Sequence, residues 1–295
     1  MKLSDIKNGN LSAEWAEKGY ELPKFDVEAV KAKTHAEPTW VHFGAGNIFR
    51  AFPAAILNAA REPEVVDLAR FLIACGARIE GHGTSVIRIQ GVPRLGGCTY
   101  RIMPDRIEAG TFLVGGALTG GPVTVRGIDP SFLRMALMKL EAMGCEIITG
   151  KDFITVSRTE PLRAVDIQTL PHPGFPTDLQ AQFMLLASLA EGPSVITENV
   201  FENRFMFAAE LSRMGADITI EDHHALVRGV ELLQGAPVKA TDLRAGAALV
   251  LAGIVAEGET RVSHIYHIDR GYEDYVGKLR GLGADVSRLN VDESI

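Results

Sequence analysis

The chain has 295 residues, 46% of them hydrophobic and 23% charged, with a net charge of -7 and a pI near 5.7. At about 150 residues per domain this is material for roughly two soluble domains, and the acidic balance argues against a nucleic-acid partner, which favours a basic face. Three cysteines are too few and too odd for a disulfide framework, and neither a signal peptide nor an 18-residue apolar run is present, so a cytoplasmic protein with no membrane partner is expected.

The first element of interest is "WVHFGAGNIFRAF" at residues 40–52, an apolar run ending in Gly44-Ala45-Gly46 before a helix-like stretch. Gly44 and Gly46 suit the turn at which a pyrophosphate approaches the backbone, with Arg50 nearby. "WVHFGAGNIFRAFPA" is similar to the N-terminus of the long-chain polyol dehydrogenase family, mannitol dehydrogenase and fructuronate reductase. A working dinucleotide site also needs a second strand ending in an acid about 20 residues on. Asp67 is at that distance, but Pro63 sits at a helix start and Val65, Leu68, Phe71 and Leu72 follow helical spacing up to Gly76. Asp67 is therefore read as a solvent-facing helix residue, and the dinucleotide site as unfinished. No cofactor is assigned.

Beyond this point the chain is organised by an internal repeat. "LIACGARIEG", "LEAMGCEIITG", "LSRMGADITIE" and "LRGLGADVSRL" share a helix tail, a glycine and a β-like run. The glycines, Gly76, Gly144, Gly215 and Gly283, are spaced by 68, 71 and 68 residues, each placed as a helix stop. Between them lie "PDRIEAGTFLVGGALTGG", "FPTDLQAQFMLLASLAEG" and "ATDLRAGAALVLAGIVAEG", which superpose on Ala109, Ala181 and Ala245. Each opens with an acidic N-cap signal and continues as a helix apolar nearly all round, which predicts burial on every side. By contrast "PSFLRMALMKLEAMG" gathers Phe132, Met135, Ala136 and Leu140 on one face, as a half-exposed helix does. Units of about 70 residues with one interior helix, one surface helix and short strands fit a closed pseudo-symmetric α/β domain better than a solenoid.

The first turns of the three interior helices carry Arg106 and Glu108, Asp178 and Gln180, and Asp242 and Arg244. If three-fold symmetry brings these ends together, free N–H groups and helix dipoles converge on one place and favour an anion there. Arginine adds planar recognition of phosphate or carboxylate, and Arg204 and Arg270 lie in similar strand-to-helix turns. Taken singly, each is equally well a surface salt bridge or a cap. Asp178 either caps its helix or accepts a proton from a substrate hydroxyl. Cys98 in "LGGCTY" is read as a buried small apolar residue. His223-His224, adjacent and so expected to point to different sides, and the pair His264 and His267, without a third ligand, give no metal constellation.

Six stretches, "PEVVDLARFLIACGARIEGHGTSVIRIQGV", "PDRIEAGTFLV", "PHPGFPTDLQAQF", "ITENVFENRFM", "ATDLRAGAALVLAG" and "IYHIDRGYE", resemble the UDP-N-acetylglucosamine 1-carboxyvinyltransferase family over about residues 57–290. The resemblance implies an enolpyruvyl-transferase-like inside-out α/β barrel, incomplete here at about four of six repeats. Its boundaries would be a foreign N-terminal segment at 1–56, the last repeat of a first domain at 57–103 and a three-repeat domain at 104–295. It implies transfer of enolpyruvyl from phosphoenolpyruvate to the 3′-hydroxyl of UDP-N-acetylglucosamine. Asp178 matches the family's proposed base at that hydroxyl, and Val200 a contact to the UDP-sugar. Arg204, Asp242, Arg244 and Arg270 match cleft residues around phosphoenolpyruvate, and Arg106 an arginine near the hinge. Phe207 stands where the family usually has histidine. The family's Lys-Asn pair and its mobile loop with a catalytic cysteine and arginine have no counterpart in the sequence. Impaired activity, an open sheet edge and self-association through that edge are therefore expected. Two other readings remain at this point: an NAD-dependent polyol or fructuronate-type oxidoreductase, and a non-catalytic UDP-sugar-binding remnant.

Overall fold

The computed structural model describes residues 61–289. Gly44, Gly46 and the junction expected near residue 56 lie outside the described residues. The elements in chain order are α1 (Pro63–Ala74), β1 (Arg78–Glu80), β2 (Arg88–Gln90), α2 (Arg106–Thr119), β3 (Val123–Arg126), α3 (Arg134–Ala142), β4 (Glu146–Thr149) and β5 (Phe153–Ser157). There follow β6 (Ile167–Gln168), α4 (Gln180–Ser188), β7 (Pro193–Thr197), α5 (Ala208–Arg213), β8 (Asp217–Glu221), β9 (His224–Arg228) and β10 (Pro237–Lys239). The last are α6 (Leu243–Val255), β11 (Arg261–Ser263), α7 (Tyr266–Asp269) and α8 (Tyr275–Gly281).

The repeat read from the sequence is visible as topology. One sheet runs β6-β7-β9-β8, with β6 parallel to β7 and antiparallel pairs thereafter. A second, β3-β5-β4, repeats its antiparallel part, and a third, β10-β11, repeats its parallel part. Among the described residues β11 has no second partner strand, leaving empty the place that β9 takes beside β7.

The four repeat glycines end α1, α3, α5 and α8 in one way. Gly76, Gly144, Gly215 and Gly283 have φ of 100°, 96°, 94° and 96°, the left-handed region that a side chain strains to enter. The next residue's N–H then reaches back five positions, Ala77 to Leu72, Cys145 to Leu140, Ala216 to Leu211 and Ala284 to Leu279, at 2.9–3.1 Å. This closure satisfies carbonyls the helix end would leave bare and turns the chain toward the following strand.

The three helices predicted to be interior are interior. Every residue of α4 is buried, as are Ile107 and the run from Ala109 to Val114 in α2 and Ala245–Leu249 in α6. They pack on one another, and each also packs on its own sheet. Inward-facing Ile154, Val156, Ile196, Ala225 and Val227 alternate with outward residues such as Val195 and Ile220, the period-two pattern of a one-sided sheet. On α3, Ala136, Leu137 and Leu140 face the core while Met138 is exposed, as an amphipathic surface helix requires. Among the described residues no helix is long and apolar enough to cross a membrane.

Three local expectations need correction. Asp67 does lie on a helix, but it is half-buried and accepts from the Tyr100 hydroxyl at 2.8 Å and the Met103 N–H at 3.3 Å. Cys98 is exposed, not buried, with its sulfur 3.4 Å from that of Cys75, because residues 91–104 run as loop and bury nothing there. The His223 and His224 rings lie 4.0 Å apart rather than on opposite sides, since a tight turn at Asp222 (φ 53°) separates β8 from β9.

Candidate active site

Asp105 caps α2, accepting from the N–H groups of Ile107 (2.7 Å) and Glu108 (3.0 Å), and Asp242 caps α6 through Arg244 (2.8 Å) and Ala245 (2.9 Å). The caps show that superposition on the alanines is one residue out of register between α2 and α6, because Asp105, not Arg106, is the counterpart of Asp242. Asp178 caps nothing. It sits in a 3-10 turn, Thr177–Leu179, that precedes α4, and its side chain is directed to two arginines.

The convergence of the three helix ends is carried by Arg244. Its guanidinium lies 3.8 Å from a carboxylate oxygen of Asp178 and 3.8 Å from one of Asp105, and it covers the Tyr272 ring at 5.5 Å. One Arg244 nitrogen, Nη1, is buried without a hydrogen-bond partner among the described residues. That nitrogen is the one that faces Asp105 at 3.8 Å, so its charge is paired although the contact is too long for a hydrogen bond. Arg204 comes from the loop after β7 and donates to Asp178 at 2.6 Å and to the Thr177 hydroxyl at 2.9 Å, with its flat face on Phe201 at 4.7 Å. Asp178 therefore has a guanidinium on either side and a side chain 41% exposed, so the cluster opens to solvent.

The remaining predicted residues separate into those near this cluster and those turned elsewhere. Val200 is half-buried in the same loop as Arg204 and gives its N–H to Glu198 at 2.7 Å. Arg106 is buried at the start of α2 and is spent on Glu64 of α1 at 2.7 Å, tying the two elements together. Glu108 pairs with Lys278 of α8 at 2.7 Å. Arg270 is exposed after α7 and makes no ion pair among the described residues. Phe207 is buried in the core, where the phenyl ring needs no polar partner.

Sequence reasoning missed Glu198. It is 2% exposed and accepts five hydrogen bonds, from the Thr169 hydroxyl (2.9 Å), the Thr177 hydroxyl (2.7 Å), the Gln180 amide (2.6 Å) and the N–H groups of Val200 (2.7 Å) and Phe201 (3.0 Å). The available signal was an acid at the inward end of a β-rich run, "VITENV", where a hydrophobic residue belongs unless partners wait for it. A second polar set lies between the helices, where Thr111 bonds both Tyr272 (2.9 Å) and Gln182 (3.0 Å). Burial pushes the Tyr272 hydroxyl above its ordinary range.

Residues 50–279 match the family model described as EPSP synthase (3-phosphoshikimate 1-carboxyvinyltransferase). The UDP-N-acetylglucosamine 1-carboxyvinyltransferase of Nitratidesulfovibrio vulgaris (strain DP4) is 62% identical over 232 residues, which is 78% of this chain and 56% of that protein. The enzyme of the same name from Psychrobacter sp. (strain PRwf-1) is 54% identical over 233 residues, 79% of this chain and 54% of that protein. Among solved structures, the enolpyruvyl transferase NikO from Streptomyces tendae superposes with a TM-score of 0.68 at 34% identity, covering 76% of this chain and 54% of that one. An EPSP synthase from Acinetobacter baumannii shares the fold at a TM-score of 0.57 and 21% identity, covering 75% and 55%. The chain thus spans about half the length of the curated relatives it matches.

Proposed function

The chain belongs to the EPSP synthase family of carboxyvinyl transferases, and from that premise we propose that residues 61–289 form the part of an enolpyruvyl transferase that holds UDP-N-acetylglucosamine and meets phosphoenolpyruvate. The single observation that carries this reading is Asp178 held between Arg204 and Arg244 at the joined ends of three buried helices. A carboxylate there takes the proton of the sugar 3′-hydroxyl, and the freed oxygen attacks C2 of phosphoenolpyruvate while C3 gains a proton. Loss of phosphate from the tetrahedral adduct, with a proton leaving C3, gives the enolpyruvyl ether. Arg204 and Arg244 flank Asp178 and present cationic edges to phosphate or carboxylate. Arg270 faces solvent and adds charge from the rim, Val200 borders the sugar, Asp242 orders the start of α6, and Arg106 fixes the hinge toward α1. Both substrates are polyanions, so most of the catalytic gain comes from positioning and fixed electrostatics.

Such a reaction serves peptidoglycan precursor synthesis in the cytoplasm. For residues 61–289 taken alone the expected contribution is sugar-nucleotide binding with little turnover, and the edge of β11, unpaired among the described residues, is a route to self-association. Titration calorimetry with UDP-N-acetylglucosamine, followed by phosphate release on adding phosphoenolpyruvate, tests this. Binding with phosphate release far below that of a full-length relative is expected. No heat of binding at millimolar sugar nucleotide would overturn the reading, and turnover near the full-length level would overturn the claim of impairment.

A further inference from the structure

Glu198 takes no direct part in the chemistry above, yet it is the most heavily hydrogen-bonded carboxylate beside the site. Its five partners all point donors at it, and an ionised carboxylate, which only accepts, is the group that satisfies such a shell. The consequence lies in what each hydroxyl has left to offer. A threonine hydroxyl has one proton. Thr177 spends its proton on Glu198 at 2.7 Å, so only lone pairs remain on its outer side, and one of them receives the Arg204 N–H at 2.9 Å. Thr169 spends its proton on the other Glu198 oxygen at 2.9 Å and accepts the Asn199 N–H at 2.9 Å. The directions of both bonds are thereby set from inside the protein.

We propose that Glu198 is a positioning residue: through Thr177 and the 199–201 backbone it holds the Arg204 guanidinium against Asp178. The path is Glu198 to Thr177 to Arg204 to Asp178, with contacts of 2.7, 2.9 and 2.6 Å. The same carboxylate also grips the N–H groups of Val200 and Phe201, whose ring supports the face of Arg204. Arg204 is thus aimed from two directions by one buried charge. A neutral amide cannot replace it, since whichever way the amide is turned, its NH2 faces donors. The inference rests on the functional reading only in taking this cluster to be the substrate site.

Exchange of the Arg204 guanidinium protons with solvent, read by nitrogen-detected NMR in the ligand-free chain and assigned with Arg204→Lys, reports the positioning directly. Arg106, paired with Glu64 on other elements, is the internal control. Glu198→Gln is expected to speed Arg204 exchange about tenfold or more, the loss of one well-made charge-linked bond, with Arg106 unchanged. If Glu198→Gln does not fold, Glu198→Asp keeps the charge but draws it back, and Thr177→Val cuts the path while leaving Glu198 four donors. Both are expected to fold and to speed Arg204 selectively. Calorimetry with UDP-N-acetylglucosamine then completes a double-mutant cycle of Thr177→Val with Arg204→Lys, in which the two losses of affinity are expected not to add. Unchanged Arg204 exchange in the variants that fold, or Arg204 and Arg106 loosening together, overturns the inference. Failure of the unaltered chain to bind the sugar nucleotide removes the functional reading instead, and leaves the exchange result to decide the positioning.

Discussion

Arg244 Nε stands 3.8 Å from Asp178 Oδ2, and because Arg204 already donates to Oδ1 of the same group, one half-exposed carboxylate is shared by two guanidinium groups from different repeats. That sharing predicts a separation of roles. Exposed ion pairs stabilise by about 0–1 kcal/mol, so Asp178→Asn is expected to lower unfolding free energy by less than about 1 kcal/mol in urea titration. A hydrogen bond from a ligand hydroxyl to a charged acceptor contributes about 1.5–3 kcal/mol, so the same substitution is expected to weaken UDP-N-acetylglucosamine binding about tenfold or more. A loss of several kcal/mol in stability with affinity intact would make Asp178 a structural residue.

The contrast with Glu198 shows what the sequence makes legible. Interior helices, surface helices and the four glycine stops follow from spacing and apolar pattern, because burial and backbone conformation act on each element locally. The caps Asp105 and Asp242 are legible for the same reason, since a cap bonds two or three residues away. Glu198 gathers partners from residues 169, 177, 180, 200 and 201, across two strands and a turn, and no local pattern encodes such a meeting. The surroundings of Asp67 and Cys98 are not legible in the sequence for a related reason. Their partners, Tyr100 and Cys75, lie 33 and 23 residues away and are brought close by the β1-β2 hairpin.

Glycines of the interior helices lie close against the elements packed on them, and those neighbours differ in how far they can yield. A Cβ at Gly246 would lie 2.8 Å from Ala240 Cβ and 2.8 Å from Ile268 Cγ1, whereas at Gly110 the two nearest atoms, at 2.9 Å, are the terminal methyls of Leu179. Alanine gains about 1 kcal/mol over glycine in a helix, and overpacking a core costs about 1–3 kcal/mol. Gly246→Ala is expected to be destabilising, since Ala240 has no rotamer to change, while Gly110→Ala stays within about 1 kcal/mol of the unaltered chain. Thermal denaturation of the two variants side by side checks the order, and a more stable Gly246→Ala would show that α6 can shift away from its neighbours.

The thiol pair at the end of α1 yields a chemical prediction. Cys98 is exposed and 3.4 Å from Cys75, while Cys145 is buried and its thiol pushed up by that burial. The hydrogen bond with Cys75 pushes the Cys98 thiol up as well, so access decides the order, and alkylation of the native chain is expected to modify exposed Cys98 first and buried Cys145 last. A mild thiol oxidant such as diamide is expected to join Cys75 to Cys98, the diazene taking up the two hydrogens. Closing a loop of this size stabilises by up to about 3 kcal/mol on a chain-entropy view. Peptide mapping reads the order and the linkage, and early labelling of Cys145 would contradict the packing around α3.

The contact between α1 and the loop before α4 is where pH acts with opposite signs. Burial holds the His172 imidazole below its ordinary value of 6.5, with Arg106 pushing the same way, and burial holds the Glu62 carboxyl above its ordinary 4.5, against the pull of Arg106. For His172 the unfolded chain takes up its proton first. The stability it contributes is present above pH 6.5 and is lost as pH falls toward the depressed folded value. For Glu62 the unfolded chain loses its proton first, so its contribution is present below pH 4.5 and is lost as pH rises through the elevated folded value. Between pH 7 and pH 5 the two oppose each other. His172→Asn is expected to make the fall in urea midpoint on acidification shallower, and Glu62→Gln to make it steeper. Equal slopes in the two variants would mean that neither group titrates differently on folding and that the α1 contact is more open to water than its packing implies.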